Sequence, residues 1–203
     1  MISTLTISID IKSYWHCGSG RGGGDDADAI IETDSLGLPY IHGKHLKGLM
    51  REACEWLCGW GVPGWDSTLV DILFGRESTH KNGSLPGCVI IPHARLPVAF
   101  RTAVNADKAL AAALKVTLAS TAVDASGSAV DKSLRSMEAA VPLKLFTELR
   151  WDDSDRLLRC TPDELEKAKN IWSQRMTECL HFVLAVGAKR SRGFGRCQLR
   201  SVA

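Results

Sequence analysis

The first pattern along the chain has a period of two. In Thr4-Leu5-Thr6-Ile7-Ser8-Ile9-Asp10-Ile11 polar and apolar residues alternate, placing Leu5, Ile7, Ile9 and Ile11 on one face of a half-buried strand. The period then lengthens. Leu46, Leu49, Met50, Ala53 and Leu57 recur at offsets of three, four, seven and eleven, the apolar stripe of a helix over residues 44–58, with Gly59 as its stop. Lys44, Lys47 and Arg51 fall on or beside the opposite face. A glycine, proline and tryptophan connector over residues 59–64 leads to the apolar run Leu69 to Phe74, and residues 77–83 read as an exposed polar loop. Cys88-Val89-Ile90-Ile91, bounded by Pro92, predicts a buried strand.

The second half follows the same alternation with a longer interruption. Ala106 to Val116 is alanine-rich and predicts a helix capped by Asn105. Thr117 to Arg135 is too polar for core and predicts a projecting hairpin or loop, and Val141 to Trp151 returns to strand character. Thr161-Pro162-Asp163-Glu164 carries a cap, a proline at the first helical position and a glutamate at the third, and Leu165, Ala168, Ile171, Trp172, Met176 and Cys179 continue a helix from it. The apolar run Leu180 to Val186, the glycine-rich residues 187–196 and Cys197 to Arg200 predict strand, loop, strand. The order implies an α+β fold: a split βαβ sandwich with helices on one face of a mainly antiparallel sheet. One domain spans residues 1–203, with its core at roughly 1–58, 86–104 and 141–203 and insertions at 59–85 and 105–140.

Composition narrows the function. The chain is 45% hydrophobic and 24% charged over 203 residues, ordinary for a globular protein, and its net charge is only +2. Affinity for a polyanion must therefore come from clustered cations. Residues 187–196 are such a cluster, with Lys189, Arg190, Arg192 and Arg196 among Gly187, Gly193, Gly195 and Phe194. Glycine lets the backbone approach a ligand closely while the cations neutralise phosphates, although a solvated basic hairpin has the same composition. His42 and Gly43 open the first helix, whose free N–H groups and nearby cations suit a phosphate, and His42 or His45 suits acid–base work. In residues 16–28 five glycines precede Asp25, Asp26 and Asp28. That stretch is either a solvated loop or a source of carboxylates that bind a divalent metal or polarise a nucleophile beside a phosphate.

Seven cysteines without a regular framework, and no apolar leader, point to free thiols in a reducing cytoplasm. Cys54 and Cys58 have the spacing for two zinc ligands, but no matching second pair accompanies them, which favours buried thiols. The apolar runs are too short to span a bilayer. No GxxxxGK[ST] loop is present for a nucleotide-binding enzyme.

Four segments in order resemble the RAMP proteins of CRISPR systems, and within them the backbone subunit of type III effector complexes. They are Leu38-Pro39-Tyr40-Ile41-His42-Gly43-Lys44-His45-Leu46-Lys47-Gly48, Leu73-Phe74-Gly75, Thr121 to Ala129 followed by Glu138, and Ser191-Arg192-Gly193-Phe194-Gly195. The resemblance implies a ferredoxin-like, RNA-recognition-motif-like core that polymerises along a CRISPR guide RNA beside copies of itself and other type III effector subunits. It also implies a thumb that interrupts the duplex formed with single-stranded target RNA, and a loop aspartate that cuts the target with a divalent metal, Mg2+ being the expected ion. That aspartate falls on Asp28, with Asp34 as the second acidic position and Asp26 as the alternative; Asp28 is also the expected metal ligand. The expected RNA contacts are Lys44, His45, Lys47, Arg51, Lys189, Arg190, Arg192, Gly193, Phe194 and Arg196, with Lys132 and Arg135 from the thumb. The chain departs from the family at His42, Lys44 and His45, where a proline and small hydroxyl residues are usual, and at His93, where an aspartate is. Two other readings stay open: a subunit that coats the guide without cutting, and a metal-independent guide-processing endonuclease using His42 or His45.

Overall fold

The computed structural model describes residues 4–20, 22, 27–76, 85–107, 109–152 and 160–202. Its strands and helices in chain order are β1 (Thr4–Ile11), α1 (Gly43–Gly59), α2 (Ser67–Phe74), β2 (Gly75–Arg76), β3 (Leu85–Pro86), β4 (Val89–Ile90), α3 (Val98–Ala106), α4 (Ala109–Ala112), β5 (Lys115–Ser120), β6 (Arg135–Ala140), β7 (Lys144–Trp151), α5 (Pro162–Leu180) and β8 (Cys197–Ser201). The main sheet has the order β4-β7-β1-β8 with every neighbouring pair antiparallel. β1-α1-β4 and β7-α5-β8 are two split βαβ units, each leaving a gap that a strand of the other fills. This is the ferredoxin-like, α+β arrangement.

The alternation in β1 sets the register of the sheet. Ile7, Ile9 and Ile11 are buried and stand beside Thr147, Leu145 and Leu199 across the two neighbouring strands, as Ile7↔Thr147, Ile9↔Leu145 and Ile9↔Leu199. α1 lays Leu46, Leu49, Met50, Ala53 and Leu57 into the core, and α5 adds Ala168, Trp172, Met176 and Cys179. The Thr161 side chain accepts from Glu164 N–H while the Glu164 carboxylate accepts from Thr161 N–H, closing the capping box. Donation from the Thr161 N–H, and then from its hydroxyl, holds the Glu164 carboxyl below its usual range. α2, inside the first insertion, buries Leu69, Val70, Ile72, Leu73 and Phe74 against the same core.

Two expectations need correction. Leu180 to Val186 is not a strand: α5 runs to Leu180, the chain turns through His181 and Phe182, and only the single bridge Ala185↔Arg196 remains of the expected pairing. Cys197 N–H bonds the Leu184 carbonyl and Val186 N–H the Gly195 carbonyl, each at 2.9 Å, so the run meets the edge of the sheet at that one bridge without forming a ladder, and Leu184 is exposed. The helix expected over 106–116 begins instead at Val98, holds Asn105 in its last turn and ends at Ala106, with only the short α4 beyond it. Lys115 to Ser120 then pairs with Arg135 to Ala140 as a hairpin, which takes Lys115 and Val116 out of the expected helix. The expected loop at 77–83 lies outside the described residues, as does Asp26.

The hairpin of β5 and β6 is separate from the main sheet. Its tip, residues 121–134, is mostly exposed and held by the Asp124 carboxylate, which accepts from Ser126 N, Ser126 Oγ and Ser128 N at 2.9, 2.6 and 3.0 Å. These bonds, the Ser126 hydroxyl first, hold the Asp124 carboxyl below its usual range. No described helix is long and apolar enough to cross a membrane.

Candidate nucleic-acid interface

Two glycines build the cationic loop. Gly187 has φ +79° and Gly195 φ +65°, and a Cβ at either would overlap a carbonyl oxygen, that of His16 or of Val186. Close approach there lets Ala188 N–H bond the His16 carbonyl at 2.8 Å, Gly195 N–H bond the Tyr14 carbonyl at 2.8 Å, and Val186 N–H bond the Gly195 carbonyl at 2.9 Å. Residues 190–192 between them form one 3-10 turn entered through Lys189 at φ +56°. Lys189 Nζ lies 6.0 Å from the Phe194 ring centroid.

This loop meets the start of α1. Gly187 N–H donates to His45 Nε2 at 2.9 Å, and Arg190 pairs with Glu52 at 3.1 Å. The two basic corners read separately from the sequence therefore stand side by side. Lys44, Arg192 and Arg196 are exposed and make no side-chain hydrogen bond or ion pair among the described residues. Arg51 is committed elsewhere: its guanidinium bonds Glu55 at 2.7 Å and the Gly75 carbonyl at 2.7 Å, and lies 3.6 Å from Asp71.

The helix N-terminus differs from the expectation of free N–H groups. His93 Nδ1 accepts from Gly43 N–H at 3.0 Å and His42 Nδ1 from Lys44 N–H at 3.3 Å, so two imidazoles already cap it. Three histidines thus spend a ring lone pair on backbone N–H groups. Burial, then the charge of Arg190, lowers the pKa of His45; burial, then His42 and Arg95, lowers that of His93.

Asp28 stands at the root of the hairpin. Its Oδ2 accepts from Ser136 N–H at 2.7 Å, and its own N–H donates to the Ser136 carbonyl at 3.0 Å. The residue is exposed, and Oδ1 has no partner among the described residues. Two residues further along β6, Glu138 accepts from Ile31 N–H at 3.0 Å and pairs with Lys115 at 3.1 Å. The Glu138 carbonyl meets His16 Nδ1 at 2.7 Å, and His16 meets Ala188, so a continuous line of contacts runs from Asp28 to the cationic loop. Lys132 and Arg135 are exposed on the hairpin.

Asp34 has a structural setting. Its side chain is 5% exposed and its Oδ2 pairs with Arg101 at 2.6 Å and Arg95 at 3.2 Å. Its Oδ1 accepts from Leu36 N–H and Leu38 N–H at 2.9 and 3.2 Å, fixing the segment that leads into α1. Sequence reading did not find Ser136 or the capping role of His93, since their partners lie 108 and 50 residues away. Among the described residues no three His, Cys, Asp or Glu side chains gather to hold a metal, and Cys54 is buried beside Cys179, whose thiol burial pushes far up. A single carboxylate with one free oxygen suits a hard cation that takes its other ligands from phosphate oxygens and water, the way Mg2+ is usually held. Asp28 meets that requirement.

The sequence model of the RAMP superfamily matches residues 8–198. The fold is similar to a chain in the cryo-EM structure of the type III-B Cmr-beta bound to cognate target RNA, with a TM-score of 0.67 and 13% identity, covering 98% of this chain and 96% of that one. It is also similar to a chain in the apo state of type III-B Cmr-beta, at a TM-score of 0.64 and 13% identity, covering 98% and 97%. No curated protein matches the sequence significantly.

Proposed function

The chain belongs to the RAMP superfamily, and from that premise we propose that it is a guide-RNA-binding backbone subunit of a type III CRISPR ribonucleoprotein, cutting complementary target RNA at Asp28. The observation that carries this reading is the junction of the cationic loop with α1 through Gly187 and His45, which gathers Lys44, Lys189, Arg190, Arg192 and Arg196 into one neighbourhood. A chain of net charge +2 has little other means of gripping a polyanion. Such a subunit holds its guide by backbone and shape and leaves sequence to base pairing. Its partners are the guide, single-stranded target RNA, further copies of itself and other effector subunits, and its place of work is the cytoplasm.

The hairpin interrupts the guide–target duplex, and Asp28, bonded to Ser136 at the hairpin's root, faces the interruption. There its carboxylate accepts the proton of a target 2′-hydroxyl. That oxygen bonds the adjacent phosphorus, the bond from phosphorus to the 5′-oxygen breaks, the leaving oxygen takes a proton from water, and the products end in a 2′,3′-cyclic phosphate and a 5′-hydroxyl. Asp28 is the residue that would hold Mg2+, which would neutralise charge on the phosphate. A metal-independent cut by His42 or His45 has less support, because one nitrogen of each ring already accepts a backbone N–H.

The test is target cleavage by the complex assembled on its guide RNA. Asp28→Asn keeps an oxygen for Ser136 N–H while losing the basic carboxylate. Cleavage in Mg2+ is expected to fall by about 100-fold or more, with guide affinity within about twofold of wild type. Undiminished cutting by Asp28→Asn removes Asp28 from the reaction.

A further inference from the structure

Between the cationic loop and α1 lies a hollow of about 320 Å³ lined by His16, Cys17, Glu32, Tyr40, His42 and His45, with the backbone of Gly187 and Ala188 at its side. The volume is at the lower end of small-ligand sites, roughly 300–1,000 Å³. Its lining includes no lysine or arginine and does include a carboxylate. A phosphate is therefore the wrong occupant, even though cations stand just outside on the loop.

The hydrogen bonds of the wall define what the hollow offers. The Glu138 carbonyl can only accept, so His16 Nδ1 donates to it at 2.7 Å, and in the neutral ring Nε2 keeps its lone pair. His42 Nδ1 accepts from Lys44 N–H, which puts the hydrogen of that ring on Nε2. Tyr40 donates its hydroxyl to Glu32 Oε1 at 2.9 Å, leaving Oε2 without a partner among the described residues. The wall thus carries two acceptors, His16 Nε2 and Glu32 Oε2, and one outward donor, His42 Nε2–H.

His16 is the telling residue. It is 94% buried, at 6% exposure, yet its Nε2 has no hydrogen-bond partner among the described residues and borders the hollow. The atom is open to the hollow and is not sealed in the core, so a donor entering from outside can reach it. Cys17 does not supply it as an ionic group, since burial, then the charge of Glu32, raises its thiol to about 12.

We propose that this hollow receives one unstacked nucleobase of the bound RNA, read through an edge that offers N–H to His16 Nε2 and Glu32 and accepts from His42 Nε2–H. The proposal rests on the RNA-binding reading above and adds a base site to it. Single-stranded RNA is commonly recognised by bases splayed from the stack and hydrogen-bonded on their edges, while neighbouring phosphates are held by cations. Lys189, Arg190 and Arg192 are positioned for those phosphates. Guanine, whose Watson–Crick edge carries the N1–H and N2–H donors beside the O6 acceptor, has the required edge.

The probe is a labelled RNA of roughly 12 nucleotides, within the usual site sizes, with one guanosine in a uridine tract, compared with an abasic ribose-phosphate oligomer of equal length and charge. Wild-type protein is expected to bind the base-bearing strand at least about tenfold more tightly. In Gly18→Ala the added methyl would sit 2.7 Å from His16 Nε2, blocking it, and the preference should shrink to less than about threefold while abasic affinity holds. Ala188→Trp, at an exposed position on the rim, should do the same without touching the core. Equal binding of both strands by wild type, or an undiminished preference in the folded variants, overturns the base site alone. Failure to bind either strand overturns the RNA-binding reading with it.

Discussion

His45 joins two elements through one lone pair, and the sign of its pH response follows from that. Accepting Gly187 N–H requires a neutral ring, and burial together with Arg190 keeps its folded pKa below the ordinary value. The unfolded chain binds the proton more readily, so this contribution is complete above the unfolded value near 6.5 and is lost as the pH falls from there through the depressed folded value. His93, capping Gly43 N–H, behaves in the same sense. The melting temperature should decline between pH 7.5 and 5.5, and His45→Gln, whose amide oxygen can still accept, should decline less steeply; parallel curves would exclude His45 as a source of the slope. His45 was visible in the sequence as a candidate acid or base, and His93 as a departure from the family's aspartate. Their use as backbone caps was not, because a cap depends on which N–H the fold brings to the ring.

At the scale of the element, the cationic loop owes its shape to positions that have no room for a side chain. Gly195 combines a left-handed backbone with contact against the Val186 carbonyl, whereas Gly193, at φ +83°, has open space around its α-carbon. Gly195→Ala should therefore destabilise the protein by about 2 kcal/mol or more, and Gly193→Ala by only about 1 kcal/mol. Thermal melts of the two variants decide the point, the first falling roughly 4–8 °C at about 2–4 °C per kcal/mol for a chain of this size; equal shifts would mean that the close approach of Gly195 contributes nothing. The loop's glycines and cations were legible in sequence, as were β1, the stripe of α1 and the capping box of α5. The strand expected before the loop was not correctly read, because an apolar run such as Leu180 to Val186 suits a helix end and a buried coil as well as a strand.

The molecule as a whole is a sheet with helices packed over it and a hairpin projecting from it, and its near-neutral charge is unevenly placed. Lys44, Arg192 and Arg196 are exposed without partners among the described residues, while Arg51, Arg95 and Arg101 are engaged by carboxylates. RNA binding should therefore depend on salt through a small set of cations. Removing Arg192 and Arg196 together is expected to flatten the slope of log K against log salt by roughly 1.4, two phosphates at about 0.7 each for a single strand. An unchanged slope in the double variant, measured by titration at several salt concentrations, would mean that the RNA runs elsewhere.

What the sequence determined by itself is whatever depends on neighbours a few residues apart. The alternation of β1, the helical stripe from Leu46 to Leu57, the Thr161 to Glu164 cap and the glycine-cation loop are all written in local spacing, which backbone geometry converts directly into structure. Tertiary structure alone decided what depends on distant partners: that Asp28 is tied to Ser136 at the hairpin's root, that Asp34 is shared by Arg95 and Arg101, and that His16 leaves an acceptor open beside Gly187. Hydrogen bonds and ion pairs act over about 3 Å, and only the folded chain sets which groups come that close.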